Sequence, residues 1–225
     1  MTEITLLHML ALYRQVRRLA RNQETHTWER FLPYVLETRI VAILGLGAIA
    51  EHMARCFKAL GMTVYGISRT NRLVEGVEKV FSRDQIADAV SEIDFLIALV
   101  PHNSETDKIV NAEVFDAMKP SACLINVARG GVVDEAALIE AIKTGKIAGA
   151  GLDVTDPEPM SSDDPLLQLP NCVVVPHVAS ATVGTRMEMA MMCVDNVLAG
   201  VRGEFPPYCV NKDAIAGRSR LEGKA

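Results

Sequence analysis

Two kinds of hydrophobic pattern alternate along the chain. Short runs of consecutive apolar residues are typical of strands buried on both faces, and segments with an apolar residue every three or four positions are typical of helices. The runs predict strands over residues 39–44, 62–67, 94–100, 122–127, 147–154 and 172–175. The periodic segments predict helices over residues 49–60, 84–90, 112–118, 135–144 and 181–200, two of them N-capped by Asn111 and Asp134. Repeated strand–helix units require right-handed parallel crossovers, so we predict an α/β fold with a doubly wound parallel sheet.

The N-terminal segment has a helical pattern of its own. Apolar residues recur at helical spacing within residues 3–21, with arginines between them: Met9, Leu12, Val16 and Leu19. This spacing predicts one amphipathic helix, whose apolar face needs a surface to lie against.

Composition and charge narrow the possible partners. The chain has 225 residues, and its 23 Lys and Arg against 28 Asp and Glu give a net charge of −5, which disfavours nucleic acid as the main partner. The longest run of apolar residues and glycine, residues 40–50, is shorter than the roughly 18 residues that cross a bilayer, so we expect no membrane partner.

Targeting and cysteine patterns indicate a cytoplasmic protein. Glu3 precedes the first apolar stretch and arginines follow it, which reverses the charge order of a secretory signal peptide. The five cysteines are widely spaced and include no CxxC pair, so we expect neither a disulfide framework nor a metal site.

A glycine-rich turn follows the first predicted strand. Residues 45–50 read Gly-Leu-Gly-Ala-Ile-Ala and lead directly into a predicted helix, which is the context of a dinucleotide-binding, Rossmann-like turn. Gly45 permits the tight turn and Gly47 lets a pyrophosphate approach, while the N–H groups of Ala48 and Ile49 at the helix start hold its charge. The alternative is a glycine turn that binds no ligand.

The end of the second predicted strand bears on the choice of cofactor. An acidic residue about 20 positions after the turn would bind the adenosine ribose and indicate NAD, but the sequence has none there. It has Ser68, Arg69 and Thr70 instead, and a guanidinium suits a 2′-phosphate because its planar fork is permanently charged. This pattern favours NADP over NAD. The alternative is an ordinary solvated arginine.

Three polar residues follow later strands at the sheet edge where ligands bind. Arg129, Glu158 and His177 come after the strands that end near residues 127, 154 and 175, so they can converge on one crevice. Singly, each of the three could be an ordinary loop residue. The four other histidines have no such context, and we expect them to be structural: His8, His26, His52 and His102.

Three local sequences carry a family resemblance. They are residues 126–134 (Asn-Val-Ala-Arg-Gly-Gly-Val-Val-Asp), residues 151–154 (Gly-Leu-Asp-Val) running on to Glu158-Pro159, and residues 176–182 (Pro-His-Val-Ala-Ser-Ala-Thr). In this order after a dinucleotide turn, they resemble the D-isomer-specific 2-hydroxyacid dehydrogenases, from about Trp28 to Asn211.

The resemblance implies an NAD(P)-dependent oxidoreductase that acts on a small 2-keto or 2-hydroxy acid. His177 would protonate the keto oxygen, Glu158 would hydrogen-bond the other ring nitrogen of His177, and Arg129 would pair with the substrate carboxylate. Asp153 would lie beside the nicotinamide carboxamide. The cofactor-binding set implied by the resemblance further includes Val100, Pro101, Val127, Ala128 and His177.

The resemblance also implies a domain organisation. Members of the family have a separate substrate domain, built mostly from chain before a linking helix, and we expect it to be largely absent from this sequence. Residues 1–22 would be the linking helix, 23–205 the dinucleotide-binding domain and 206–225 a C-terminal tail. The alternative function is therefore a catalytically silent dinucleotide-binding and dimerisation module, with a corepressor-like role a more distant one. Pairing of family members through this domain implies a homodimer.

Overall fold

The computed structural model describes residues 1–70 and 72–212 of the chain. These residues belong to two compact units, which divide after Ala179. Most of the predicted tail, from residue 213 on, lies outside the described residues. The predicted division at residues 22 and 205 stays a prediction.

The first unit is built on one parallel sheet. Its strands, within the described residues, are β1 (Ile40–Leu44), β2 (Thr63–Ile67), β3 (Lys79–Phe81), β4 (Phe95–Ala98), β5 (Cys123–Asn126), β6 (Gly149–Leu152) and β7 (Cys172–Val174). Its α-helices are α1 (Thr2–Tyr13), α2 (Val16–Glu24), α3 (Ala48–Ala59), α4 (Ile86–Val90), α5 (Ala112–Ala117), α6 (Glu135–Lys143) and α7 (Pro165–Gln168). The predicted α/β fold class is confirmed.

The strand order locates the ligand-binding edge. The order is β3-β2-β1-β4-β5-β6-β7, and every described pairing is parallel. The order reverses between β1 and β4, because the chain first builds outward to β3 and then returns to the other side of β1. In open α/β sheets, ligands bind outside the carboxyl ends of the strands at such a reversal.

Alternate residues of the strands fill two core layers. In β1, Val41 and Ile43 face the layer that holds Met9 of α1 and Phe57 of α3. The residues between them, Ala42 and Leu44, face the layer that α4, α5 and α6 cover. Both faces of the sheet are therefore buried under helices, which explains the continuous apolar runs in the sequence.

Two local structures confirm predicted helix starts, and two elements were missed. The Asn111 side chain accepts hydrogen bonds from the N–H groups of residues 113 and 114, and Asp134 accepts one from residue 137. Strand β3 was missed because it has only three residues, of which Phe81 alone is buried. Helix α7 was missed because it is a single turn in a proline-rich loop, capped by Asp164.

The single N-terminal helix was a wrong prediction. The segment forms α1 and α2, which are separated at Gln15, where φ is +51°. Met9 is completely buried in the core of the same unit, whereas Val16 and Leu19 of α2 are exposed. The surface that covers the apolar face of α1 is thus the core of its own unit.

The second unit begins at Ser180 and contains helix α8 (Val183–Val201). The Thr182 side chain caps this helix by accepting a hydrogen bond from the Thr185 N–H. Among the described helices, none combines the length and the apolar character that a bilayer-spanning segment needs.

Candidate active site

The glycine turn after β1 has the geometry that only glycine permits at its first position. Gly45 has a φ of +107°, and a Cβ atom there would lie 2.9 Å from both the Leu99 carbonyl oxygen and Val100 Cγ1. Its N–H donates to the Ile67 carbonyl at 2.8 Å. The end of β1 is therefore held tightly between the ends of β2 and β4.

The second glycine faces open space. A Cβ atom at Gly47 would meet nothing within 4 Å, and α3 begins at the next residue, Ala48. Ala48 and Ile49 are exposed, and the first N–H groups of a helix have no partner within the helix. Open space in front of free amide donors fits the pyrophosphate of a dinucleotide.

The segment after β2 is held by its neighbour strand. The Ser68 N–H donates to the Phe81 carbonyl at 3.0 Å, and the Ser68 hydroxyl accepts from the Thr70 N–H at 3.3 Å. The Arg69 side chain is 67% exposed, so its guanidinium is accessible to an anionic ligand.

The turn that carries Arg129 is fixed on both sides. The Asn126 side chain accepts from the Ala128 N–H and donates to the Arg129 carbonyl, each at 3.0 Å. A Cβ atom on Gly130 would lie 2.1 Å from the Thr155 carbonyl carbon. The two residues before Arg129, Val127 and Ala128, are buried, so only their backbone could serve a ligand.

His177 and Glu158 form a hydrogen-bonded pair. His177 Nδ1 lies 2.8 Å from Glu158 Oε2, and Glu158 Oε1 accepts from the Thr155 N–H at 3.1 Å. Burial raises the pKa of Glu158, but the hydrogen bonds from His177 and Thr155 and the charges of His177 and Arg129 outweigh it, so this pKa lies below its usual value. Glu158 is therefore a carboxylate near neutral pH, placed to hold the imidazole.

A buried aspartate supports the turn that carries His177. Asp153 is 1% exposed, and its carboxylate accepts hydrogen bonds from the N–H groups of Val178 and Ala179. The His177 N–H donates to the Asp153 carbonyl at 2.8 Å, in a backbone conformation with φ of +52°. Asp153 thus orders the His177 turn, and its contact with a carboxamide stays a prediction.

Most of the first unit matches the model of a known protein family. Residues 6–179 match the NAD-binding domain of the D-isomer-specific 2-hydroxyacid dehydrogenases. The chain belongs to this family. It is similar to the glyoxylate reductase of Pyrococcus furiosus, with 42% identity over 185 residues that make up 82% of this chain and 55% of the relative. It is also similar to the glyoxylate/hydroxypyruvate reductase B of Pectobacterium carotovorum, with 38% identity over 214 residues that make up 92% and 67% of the two chains.

Solved structures of 2-hydroxyacid dehydrogenases share the fold. A family member from Aeromonas salmonicida is 32% identical with a TM-score of 0.81, covering 90% of this chain and 65% of that one. An NADPH-dependent glyoxylate/hydroxypyruvate reductase from Sinorhizobium meliloti, solved with NADP and sulfate, is 28% identical with a TM-score of 0.80, covering 95% and 68%. The chain spans little more than half the length of the first of its curated relatives.

One arginine of this dehydrogenase domain was missed by sequence reasoning. Arg72 donates to the Leu46 carbonyl at 2.6 Å and to Glu51 Oε1 at 2.7 Å, so a guanidinium lies directly at the glycine turn. It neutralises the one carboxylate in the first turn of α3, which would otherwise repel a phosphate. Arg72 lies in a loop outside the sequence motifs, so no pattern in the sequence predicted its contact with the glycine turn.

A second imidazole–carboxylate pair lies near the Arg129 turn. His102 Nε2 is 2.8 Å from Asp107 Oδ1, and its ring occupies the space that a Cβ atom on Gly131 would need, at 2.6 Å. His102 follows Pro101 at the end of β4. The expectation that His102 is structural fits this packing, although the sequence did not reveal its partner.

Proposed function

We propose that this chain is the cofactor-binding and catalytic part of an enzyme that reduces a small 2-keto acid to a D-2-hydroxy acid with NAD(P)H. The observation that carries the proposal is the hydrogen bond of 2.8 Å between His177 and Glu158, at the sheet edge that also presents Arg129 and the glycine turn. Relatives named glyoxylate reductase and glyoxylate/hydroxypyruvate reductase make glyoxylate and hydroxypyruvate the first substrates to test.

The glycine turn would hold the cofactor. Gly45 and Gly47 shape it, and the N–H groups at the start of α3, from Ala48 and Ile49, would bind the pyrophosphate. The nicotinamide, when bound, supplies the hydride that reduces the keto carbon.

His177 would move the proton. Because Glu158 accepts a hydrogen bond at Nδ1, the opposite nitrogen, Nε2, is the one that can donate to a keto oxygen. Loss of that proton leaves a neutral imidazole that still donates its Nδ1–H to the carboxylate. Glu158 thereby orients the ring before transfer and holds the tautomer with a proton on Nδ1 after it.

Arg129 would orient the substrate. Its guanidinium can pair with the carboxylate of a 2-keto acid in a bidentate geometry and favour the negative charge that develops on the keto oxygen. The backbone on either side of Arg129 is fixed, and Arg129 Nη1 donates to the Ala128 carbonyl at 2.6 Å, a bond that the guanidinium would exchange for the substrate carboxylate.

NADP is the preferred cofactor in this proposal. Arg69 is exposed at the end of β2, where a 2′-phosphate would be bound. The Sinorhizobium meliloti reductase, which shares the fold, is named as NADPH-dependent.

NADPH oxidation tests the reaction. With glyoxylate or hydroxypyruvate, we expect turnover that falls by about 100-fold or more in His177→Ala, since general acid catalysis contributes at least that much. The matched control is His26→Ala, an exposed histidine outside the three motifs. Turnover of the unsubstituted protein no higher than that of His177→Ala would overturn the proposal and leave a silent nucleotide-binding module.

We also propose a homodimer and a cytoplasmic location. The exposed Val16 and Leu19 of α2 support an apolar contact with a second copy. Sedimentation that shows only a 24.5 kDa species would contradict the dimer.

The cysteines support the proposed cytoplasmic location. All five are free, as in proteins of a reducing compartment.

A further inference from the structure

Two Ser-Arg pairs lie side by side at the far end of the crevice from His177. Ser68-Arg69 follows β2 and Ser82-Arg83 follows β3, and the parallel register pairs the last residues of these strands, Ile67 and Phe81. The two arginines therefore occupy equivalent positions, each two residues after the end of its strand. Of the two, only Arg69 was predicted from the sequence to bind a ligand.

Both arginines converge on one carboxylate. Arg69 Nη1 lies 3.1 Å from Glu105 Oε2, and Arg83 Nη1 lies 3.5 Å from the same oxygen. Arg83 is more buried than Arg69, and among the described residues its buried Nε has no hydrogen-bond partner. Two positive charges thus share one negative charge, and part of their donor capacity is unused.

Glu105 reaches the arginines from the other side of the glycine turn. It lies in the segment after β4, whereas the arginines follow β2 and β3, and β1 lies between these strands. Its backbone is fixed, because its N–H donates to Asn103 Oδ1 at 2.9 Å and the buried Thr106 hydroxyl donates to the Pro101 carbonyl at 2.6 Å. The carboxylate is 59% exposed, so its ion pairs are exchangeable.

We propose that Glu105 and Arg83, together with Arg69, set the preference between NADP and NAD. The inference rests on the proposed function, in which Arg69 binds the 2′-phosphate. A 2′-phosphate dianion competes with the Glu105 carboxylate for two guanidinium groups and matches their combined charge better. A ribose without that phosphate instead offers hydroxyl donors to Glu105, the role of the acidic residue that is lacking at the end of β2.

Binding of nucleotide fragments tests the proposal without turnover. Isothermal titration calorimetry of the whole chain would compare 2′,5′-ADP, which carries the 2′-phosphate, with 5′-AMP, which lacks it. We expect Glu105→Gln to bind 2′,5′-ADP about fivefold more tightly, because a competing carboxylate is removed. We expect Arg83→Gln to bind it about tenfold more weakly, and Arg83→Lys to keep part of the affinity. Affinity for 5′-AMP should fall by up to about threefold in Glu105→Gln, which loses the carboxylate that accepts from the ribose hydroxyls, and should change less in the two Arg83 variants.

Two further variants separate the possible failures. Glu92→Gln removes the same charge from an exposed position beyond the opposite end of β4, so it controls for net charge. An unchanged ratio of the two affinities in Glu105→Gln and Arg83→Gln, with a lowered ratio in Arg69→Gln, would overturn this proposal and keep NADP binding at Arg69. An unchanged ratio in all three variants would overturn the NADP preference as well. No binding of either fragment by the unsubstituted chain would overturn both proposals.

Discussion

The two ends of the crevice are built differently. At the end that holds His177, functional side chains stand on turns with no free space: Gly130 touches the Thr155 backbone, and the buried Asp153 holds the turn of His177. At the adenosine end, Arg69 and Glu105 are exposed and are held by an ion pair. The backbone is therefore fixed at the end where His177 would transfer a proton. At the end where the nucleotide would be bound, the charged side chains can exchange partners.

This difference has a physical reason. A misplacement of about 1 Å at a reacting atom can cost about 100-fold in rate, so a catalytic group needs a rigid backbone beneath it. Recognition of a phosphate depends on charge and tolerates mobile side chains, whose surface ion pairs contribute little to folding stability.

The largest effect is expected from Glu158→Gln. The amide cannot stabilise a protonated imidazole as a carboxylate does, so kcat for 2-keto acid reduction should fall by about 100-fold or more while the affinity for NADPH changes little. Steady-state kinetics and fluorescence titration with NADPH would measure the two quantities. Glu92→Gln is the matched control, and a loss in kcat of less than about tenfold would show that the His177–Glu158 pair does not act as a unit.

Next in size is the contrast between two glycine substitutions. Gly130→Ala places a methyl group against the Thr155 backbone, so we expect a loss of about 3 kcal/mol in the free energy of unfolding. Gly47→Ala meets open space, so its stability should change by no more than about 1 kcal/mol. The affinity of the Gly47→Ala variant for 5′-AMP and NADPH should fall instead, because the added methyl group would occupy the open space proposed for the phosphate groups.

Urea unfolding and calorimetry on the same two variants would check both effects. Equal stability losses would break the contrast between a crowded catalytic end and an open nucleotide end. Unchanged nucleotide affinity in Gly47→Ala would remove the glycine turn from the binding site.

A smaller effect is expected on the pH dependence of stability, from a buried histidine that packs against strand β6. His8 of α1 is completely buried against Gly151 of β6, and burial lowers its pKa from 6.5 to about 4, although the charge of Asp153 opposes this shift. The unfolded chain therefore binds a proton at higher pH than the folded chain. Stability should fall as the pH drops from 6.5 to about 4, by about 2 to 3 kcal/mol, and the contribution of His8 should be constant below that.

Urea unfolding at several pH values would measure this dependence. His8→Leu should remove most of the slope between pH 6.5 and 4, whereas His26→Leu, at an exposed position, should retain it. Glu158, whose pKa is lowered, acts in a different window, since its contribution is present above pH 4.5 and is lost as the pH falls further. A slope that persists in His8→Leu would show that His8 is not the group responsible.

The sequence predicted the central strands and the helix starts because these depend on local pattern. Strands β1 and β4 are continuous apolar runs, β5 is apolar up to Asn126, and Asn111 and Asp134 are residues that cap helices by themselves. The break at Gln15 could not be predicted, because neither glycine nor proline marks it and the apolar spacing continues through Val16 and Leu19.

The residues of the candidate site also differ in how well the sequence predicts them. Arg129, Glu158 and His177 lie in local sequences that carry a recognisable pattern, and the structure places Glu158 on His177. The contact of Glu105 with Arg69 spans 36 positions and depends on the order of β2, β1 and β4, which no local pattern specifies. Residues that act through the topology of the sheet were therefore the ones that sequence reasoning missed.

The two glycines after Arg129 have a mechanical consequence. Gly130 lies against the backbone of Thr155, whose N–H binds Glu158, and Gly131 lies against the ring of His102. A side chain at either glycine would have to displace the Thr155 segment or the His102 ring. Close packing of three loops at one point therefore selects for glycine at both positions, whatever the ligand.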